Sequence, residues 1–201
     1  MMKQLVQKQL AQSIATLQSV LADGQISDTL VTIAELTAHA MQSGRKLLVA
    51  GNGGSAADAQ HLVAEFVVRL TVNRPALRAI ALTTDSSILT AGGNDFGFDT
   101  IFSRQIEALG QPGDVFLGIS TSGNSPNIVK ALEQAKKQQL TTIGFTGGTG
   151  GKMLNLCDHN VVIPSNITMN IQESHLALEH IFCMVVERCL YGMDFDKKPT
   201  T

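Results

Sequence analysis

Two polar loops and two polar helix faces carry the side chains that could do chemistry in this sequence. The first loop, Ser120-Thr121-Ser122-Gly123-Asn124-Ser125, brings four hydroxyls together, and Pro126 follows at a position suited to the first turn of a helix. A helix start offers unpaired N–H groups and roughly half a positive charge, so hydroxyls and backbone donors make a phosphate cradle without any Lys or Arg. A turn with capping duties alone would need one or two hydroxyls rather than four, which favours phosphate. The second loop is Gly51-Asn52-Gly53-Gly54-Ser55. Its glycines let backbone N–H groups approach a polar substrate, and a tight turn needing positive φ explains them equally well. It is neither a dinucleotide fingerprint nor a Walker loop, because the third spaced glycine and the Gly-Lys-Ser/Thr ending are absent. Ser55 and Asp58 stand in the S-x-x-D relation of a capping box.

His61 and Glu65 are four apart on the helix that the glycine turn opens, hence on one face and able to approach a common ligand or metal. Such a pair is often solvated, but Leu62, Val63, Ala64, Phe66 and Val67 surround this one. The last helix gathers Gln172, Glu173, His175, Glu179 and His180 in an otherwise apolar element, and something must satisfy those groups. Gln172 and His180 stand about 12 Å apart along a regular helix, whereas Gln172, His175 and Glu179 share a face more readily. Periodicity alone therefore nominates His175. His39, in a helix flank, and His159, in a Cys-Asp-His-Asn loop, are assigned to structure.

The elements that must position these groups follow from the apolar pattern. Leu47–Ala50, Ala79–Leu82, Val115–Ile119, Thr142–Phe145 and Val161–Ile163 read as short buried strands separated by helical stretches. That alternation predicts an α/β fold with a five-stranded parallel sheet and helices on both faces, so that the loops at the strands' carboxyl ends form the site. Two helices precede the sheet. The first carries Val6, Leu10, Ile14, Leu17 and Leu21 at helical spacing and ends at Asp23-Gly24. The second starts after the cap Ser27, with Leu30, Ile33, Ala34, Thr37 and Met41 on one face, and stops at Gly44. A long helix from about Asn170 to Leu190 closes a single domain over 1–192, and the remainder, 193–201, reads as a mobile tail. The apolar content of the end helices exceeds what one sheet face needs, which points to packing between subunits.

Composition narrows the partners. The 201 residues, 44% apolar and 16% charged, suit one globular domain. A net charge of −2 without a Lys/Arg cluster, with no Trp and one Tyr, argues against nucleic acid and for a small molecule. Cys157, Cys183 and Cys189 fit neither a zinc motif nor a disulfide framework, and no signal or membrane-spanning run opens the chain, so a cytoplasmic protein without membrane contact is expected.

In combination, GNGGSAADAQH with Glu65, GNDFGF at Gly93–Phe98, STSGNS, and Ile171-Gln172-Glu173 with His180 resemble the sedoheptulose 7-phosphate isomerases of the sugar-isomerase (SIS) domain family. The resemblance spans nearly the whole chain. It implies a flavodoxin-like three-layer SIS sandwich and a homotetramer with active sites between subunits. It also implies one zinc per subunit, bound by His61, Glu65, Gln172 and His180, thus favouring His180 over His175. By the same resemblance Asn52, Gly53, Gly54, Ser55, Glu65, Asn94, Asp95, Ser120, Thr121, Ser122, Ser125 and Gln172 contact substrate, and Glu65 and His180 are the acid–base residues of an enediol isomerisation. That reaction is the first step of ADP- or GDP-heptose supply for cell-surface polysaccharide such as lipopolysaccharide. Two alternatives stay open: a non-catalytic SIS protein that binds the replication initiator, against which all four acid–base and metal residues count, and an isomerase of another phosphosugar, since a phosphate cradle does not measure chain length.

Overall fold

Five short strands, β1 (Leu47–Ala50), β2 (Ala79–Ala81), β3 (Val115–Ile119), β4 (Thr141–Gly147) and β5 (His159–Ile163), pair in parallel in the order β2-β1-β3-β4-β5 in a computed structural model that describes residues 1–192. The tail expected at 193–201 lies outside the described residues. Because side chains alternate across a strand, each apolar run feeds two cores at once. Leu47, Val49, Leu117 and Ile119 pack on one side, whereas Leu48, Ala50 and Phe116 pack on the other.

The first side is covered by α2 (Gly24–Gln42), α3 (Gly54–Val67) and α7 (Thr168–Tyr191), through residues such as Ile33, Leu62 and Phe182. The second is covered by α5 (Ile101–Leu109) and α6 (Pro126–Lys137), through Ile106, Ile128 and Leu132, with Leu89 of α4 (Ser86–Phe96) at its margin. The expected three-layer α/β sandwich is thus the observed one. Among the described residues no helix is long and apolar enough to cross a membrane.

One local expectation changes. α2 starts at Gly24, not after Ser27, because Asp23 ends α1 (Met2–Ala22) and at once caps α2, its Oδ1 accepting from the N–H groups of Gln25 and Ile26 at 3.0 and 3.4 Å. The Asp-Gly pair is therefore a helix-to-helix corner rather than a loop. The apolar stripe of α1 faces away from its own chain: Val6, Leu10, Ile14, Leu17 and Leu21 are 40% to 81% exposed, while Thr16 and Val20 are buried.

The strand order reverses between β1 and β3. In open sheets of this kind ligands bind outside the carboxyl ends at that switch point. The glycine loop leaves β1 and the hydroxyl loop leaves β3, so the topology makes them neighbours.

Candidate functional site

At the hydroxyl loop, Ser120 Oγ and Ser125 Oγ lie 2.8 Å apart. Ser125 is the N-cap of α6, yet its hydroxyl makes no capping bond and pairs with that of Ser120 instead. Asn124 braces the loop: its Nδ2 donates to the Ser122 carbonyl at 2.8 Å, and its Oδ1 accepts from the Lys152 N–H at 3.1 Å. A cavity of about 240 Å³ lined by Thr121, Ser122, Gly148, Thr149, Ser165 and Thr168 adjoins these hydroxyls.

The glycine loop is tied to the same place by a pair of amides. Asn52 and Asn127, the latter in α6, each donate to the other at 2.8 Å. Gly53 caps α3 with φ of 56°, a left-handed value that glycine takes without strain. Ser55 and Asp58 form no capping box: Ser55 is buried, and Asp58 turns to α7, where its Oδ1 accepts from Gln172 Nε2 at 3.2 Å. Any Cβ at Gly54 would overlap the Gln172 amide, so that glycine is what lets α7 come this close.

His61 and Glu65 on α3 meet His180 on α7. His61 Nε2 lies 2.8 Å from His180 Nε2 and 3.5 Å from Glu65 Oε1, and the ligating atoms of the three residues all fall within 4.8 Å of one another. Two nitrogens on one tetrahedral zinc are about 3.3 Å apart, given Zn–N bonds near 2.0–2.1 Å, so a small opening of the histidine pair seats an ion. With its Nε2 on Asp58, Gln172 keeps Oε1 for another donor or a metal. The donor set fits zinc.

Three carboxylate oxygens on these two helices have no partner. Asp58 Oδ2 and both oxygens of Glu179 are buried and make no hydrogen bond among the described residues. Burial, with a smaller push from Asp58, raises the Glu179 carboxyl to about 8. Burial also raises Asp58, against the opposing pull of the Gln172 bond and of His61.

Residues 9–147 match the model of the SIS domain family. The phosphoheptose isomerase of Aneurinibacillus thermoaerophilus is 48% identical over 96% of this chain and 98% of its own length. This chain belongs to the phosphoheptose isomerases, within the SIS-domain family. Phosphoheptose isomerase 2 of Campylobacter jejuni is 50% identical over 94% of each chain. Among solved structures, phosphoheptose isomerases from Neisseria gonorrhoeae and Francisella tularensis superpose with TM-scores of 0.88 and 0.90 at 40% and 34% identity, covering 93% and 94% of this chain and 99% of theirs.

Not every residue expected at the site of this phosphoheptose isomerase is brought to the triad. Asn94 and Asp95 stand on the exposed end of α4, where Asn94 Nδ2 donates to Asp95 Oδ1 at 2.7 Å, and α4 has no buried residue at all. His175, the choice of periodicity, is fully buried and donates from Nε2 to the Thr146 carbonyl at 2.9 Å beside the Phe145 ring. It is a core residue. Asn127 and the bond that joins Asp58 to Gln172 were missed by sequence reasoning. A polar residue in the first turn of a helix is the only signal Asn127 offered, and the S-x-x-D spacing hid Asp58 behind a capping role.

Burial, partly offset by the Thr146 bond, pushes the His175 imidazole down to about 4. The unfolded chain binds a proton there near pH 6.5 and the folded chain only near 4, so stability present above 6.5 is lost as pH falls through that window, by up to roughly 3 kcal/mol. His175→Gln, which can still donate to Thr146, is expected to flatten this acid loss in urea unfolding followed from pH 7 to 4. Parallel losses in parent and variant would rule His175 out as the titrating group.

Proposed function

We propose that this phosphoheptose isomerase converts sedoheptulose 7-phosphate to D-glycero-D-manno-heptose 7-phosphate, with Glu65 and His180 as its proton-moving groups. The observation that carries this reading is the meeting of one carboxylate and two imidazoles across α3 and α7. In the forward direction the Glu65 carboxylate takes the proton from carbon 1 of the ketose, and the electrons left behind form the enediol. Glu65 then returns the proton to carbon 2, while His180 transfers the proton from the carbon 1 hydroxyl to the carbon 2 oxygen. Atoms and charge balance, and no external oxidant is needed. The phosphate rests on the α6 start, with Ser120, Thr121, Ser122 and Ser125 donating beside the helix N–H groups.

His61, Glu65, Gln172 and His180 are the residues that would hold zinc, one per subunit. Bound zinc supplies Lewis-acid stabilisation of oxygen charge. Glu65 has two carboxylate oxygens, so ligation through one leaves the other for proton transfer. The outward apolar stripe of α1 supports a homotetramer, and so does an apolar cavity of about 280 Å³ that Leu17, Leu21, Val31 and Ile181 help to line. Exposed α4, with Asn94 and Asp95, fits a site completed by a neighbouring subunit. A cytoplasmic setting, a small phosphosugar as partner, and no nucleic-acid or membrane contact belong to the same reading, which the free Cys157, Cys183 and Cys189 and the weak net charge support.

The direct test is incubation of the purified protein with sedoheptulose 7-phosphate and detection of the heptose 7-phosphate aldose, with a pentulose 5-phosphate in parallel. Failure to form the aldose from the heptulose phosphate sinks the proposal. In the same assay Ser120→Ala with Ser125→Ala is expected to raise KM by about tenfold for each charge-assisted bond lost. An unchanged KM would remove the phosphate assignment.

A further inference from the structure

α3 ends in a way that ties the site together. Its C-cap, Val68, is not a glycine in the left-handed region, and the carbonyls of Glu65 and Phe66 are left facing a buried guanidinium. Arg74 Nη2 donates to the Glu65 carbonyl and Nη1 to the Phe66 carbonyl, both at 2.7 Å, while Nη1 also reaches the Pro75 carbonyl at 3.1 Å. The remaining edge points to α7: Arg74 Nε donates to Glu187 Oε1 at 2.7 Å, and Thr71 Oγ1 reaches Glu187 Oε2 at 3.4 Å. Both side chains of the ion pair are fully buried. Glu187 stands seven residues, about two turns, after His180 on the same helix. The Phe66 and Phe182 rings of the same two helices meet edge-on, with centroids 5.7 Å apart.

We infer that Arg74 and Glu187 are positioning residues for the isomerisation: the guanidinium locks the last turn of α3, which carries Glu65, onto α7, which carries His180. The inference rests on the reading in which Glu65 and His180 act on one substrate. A buried ion pair is a poor way to gain stability, since desolvating two charges costs about what their attraction returns, and apolar side chains of similar volume often do as well or better. What the pair adds is direction. A planar fork that meets two consecutive helix carbonyls and a carboxylate fixes both the rotation and the distance of α3 relative to α7. Displacements of about 1 Å at reacting groups are enough to cost a hundredfold in rate.

Arg74→Lys keeps the charge but cannot reach all of these acceptors. It is expected to lower kcat by about 10- to 100-fold, leave KM for sedoheptulose 7-phosphate within about threefold, and weaken zinc binding by the metal-free protein about tenfold in a competition titration. The double change Arg74→Met with Glu187→Leu replaces the clamp by apolar contacts, and should melt near the parent temperature while showing the same loss of kcat. If Arg74→Lys does not fold, this second variant decides. A folded clamp variant with parent kcat and parent zinc affinity overturns the inference. Glu65→Gln run alongside keeps the two ideas apart: if it is crippled while the clamp variants are not, only the positioning role fails, and if it is as active as the parent, the reading of Glu65 fails first.

Discussion

Glu65→Gln is expected to turn over sedoheptulose 7-phosphate about a hundredfold more slowly than the parent, or worse, with KM changed far less. The amide keeps the shape of the side chain and can still offer a carbonyl oxygen to a metal, but it cannot accept a proton. Its backbone is pinned by Arg74, and Glu65 keeps 18% of its side chain exposed, so the exchange of one atom leaves the fold around it unchanged. A loss confined to kcat is the sign of an interaction made mainly in the transition state, whereas a loss shared with KM would point to ground-state binding. Heavy water gives a second readout. The parent should wash deuterium into carbon 1 or carbon 2 of the sugar as the proton shuttles through the carboxylate, and the variant should not. Exchange at the parent rate in Glu65→Gln would mean that Glu65 is not the base and that His180 holds that role.

How much of this was legible in the sequence depended on whether the signal was local. The five apolar runs gave the strands to within a residue or two, because a parallel strand buried on both faces must be apolar throughout. The layout around Ser120 to Ser125 was legible for the same reason: strand, polar turn and a helix start at Pro126 follow one another in the chain. The α2 start was misread because one aspartate does two jobs at Asp23, and no spacing rule distinguishes a turn from a corner between helices. The triad was only half legible. His61 and Glu65 share a helix face, but the choice between His175 and His180 turns on which side of α7 meets α3, a property of tertiary packing. Helix period favoured His175, which the structure sends into the core toward Thr146. Arg74 carried no signal at all, since a lone arginine before a proline looks like surface until its acceptors in α3 and α7 are known.

Metal analysis of the purified protein is expected to give one zinc per subunit in the parent and almost none in His61→Ala or His180→Ala. The two histidines come from α3 and α7 and approach tip to tip at 2.8 Å, so neither side chain alone defines a site and both must present a neutral nitrogen at once. Loss of a partner in the outer shell typically costs about 10- to 100-fold in metal affinity, so loss of a direct ligand should cost more than about 100-fold. Gln172→Ala should cost less, because a neutral amide oxygen is the weakest donor of the set and Asp58 would lose its partner as well. His175→Gln is the control on the same helix: its imidazole is buried on the Thr146 carbonyl, so its metal content should equal the parent's. Acidification should release the metal from the parent, since both imidazoles and the carboxylate bind it only when deprotonated. Retention of the parent stoichiometry by both His61→Ala and His180→Ala would show that this ligand set is wrong, and the short contact between the two rings would then be a hydrogen bond that orients His180 for proton transfer.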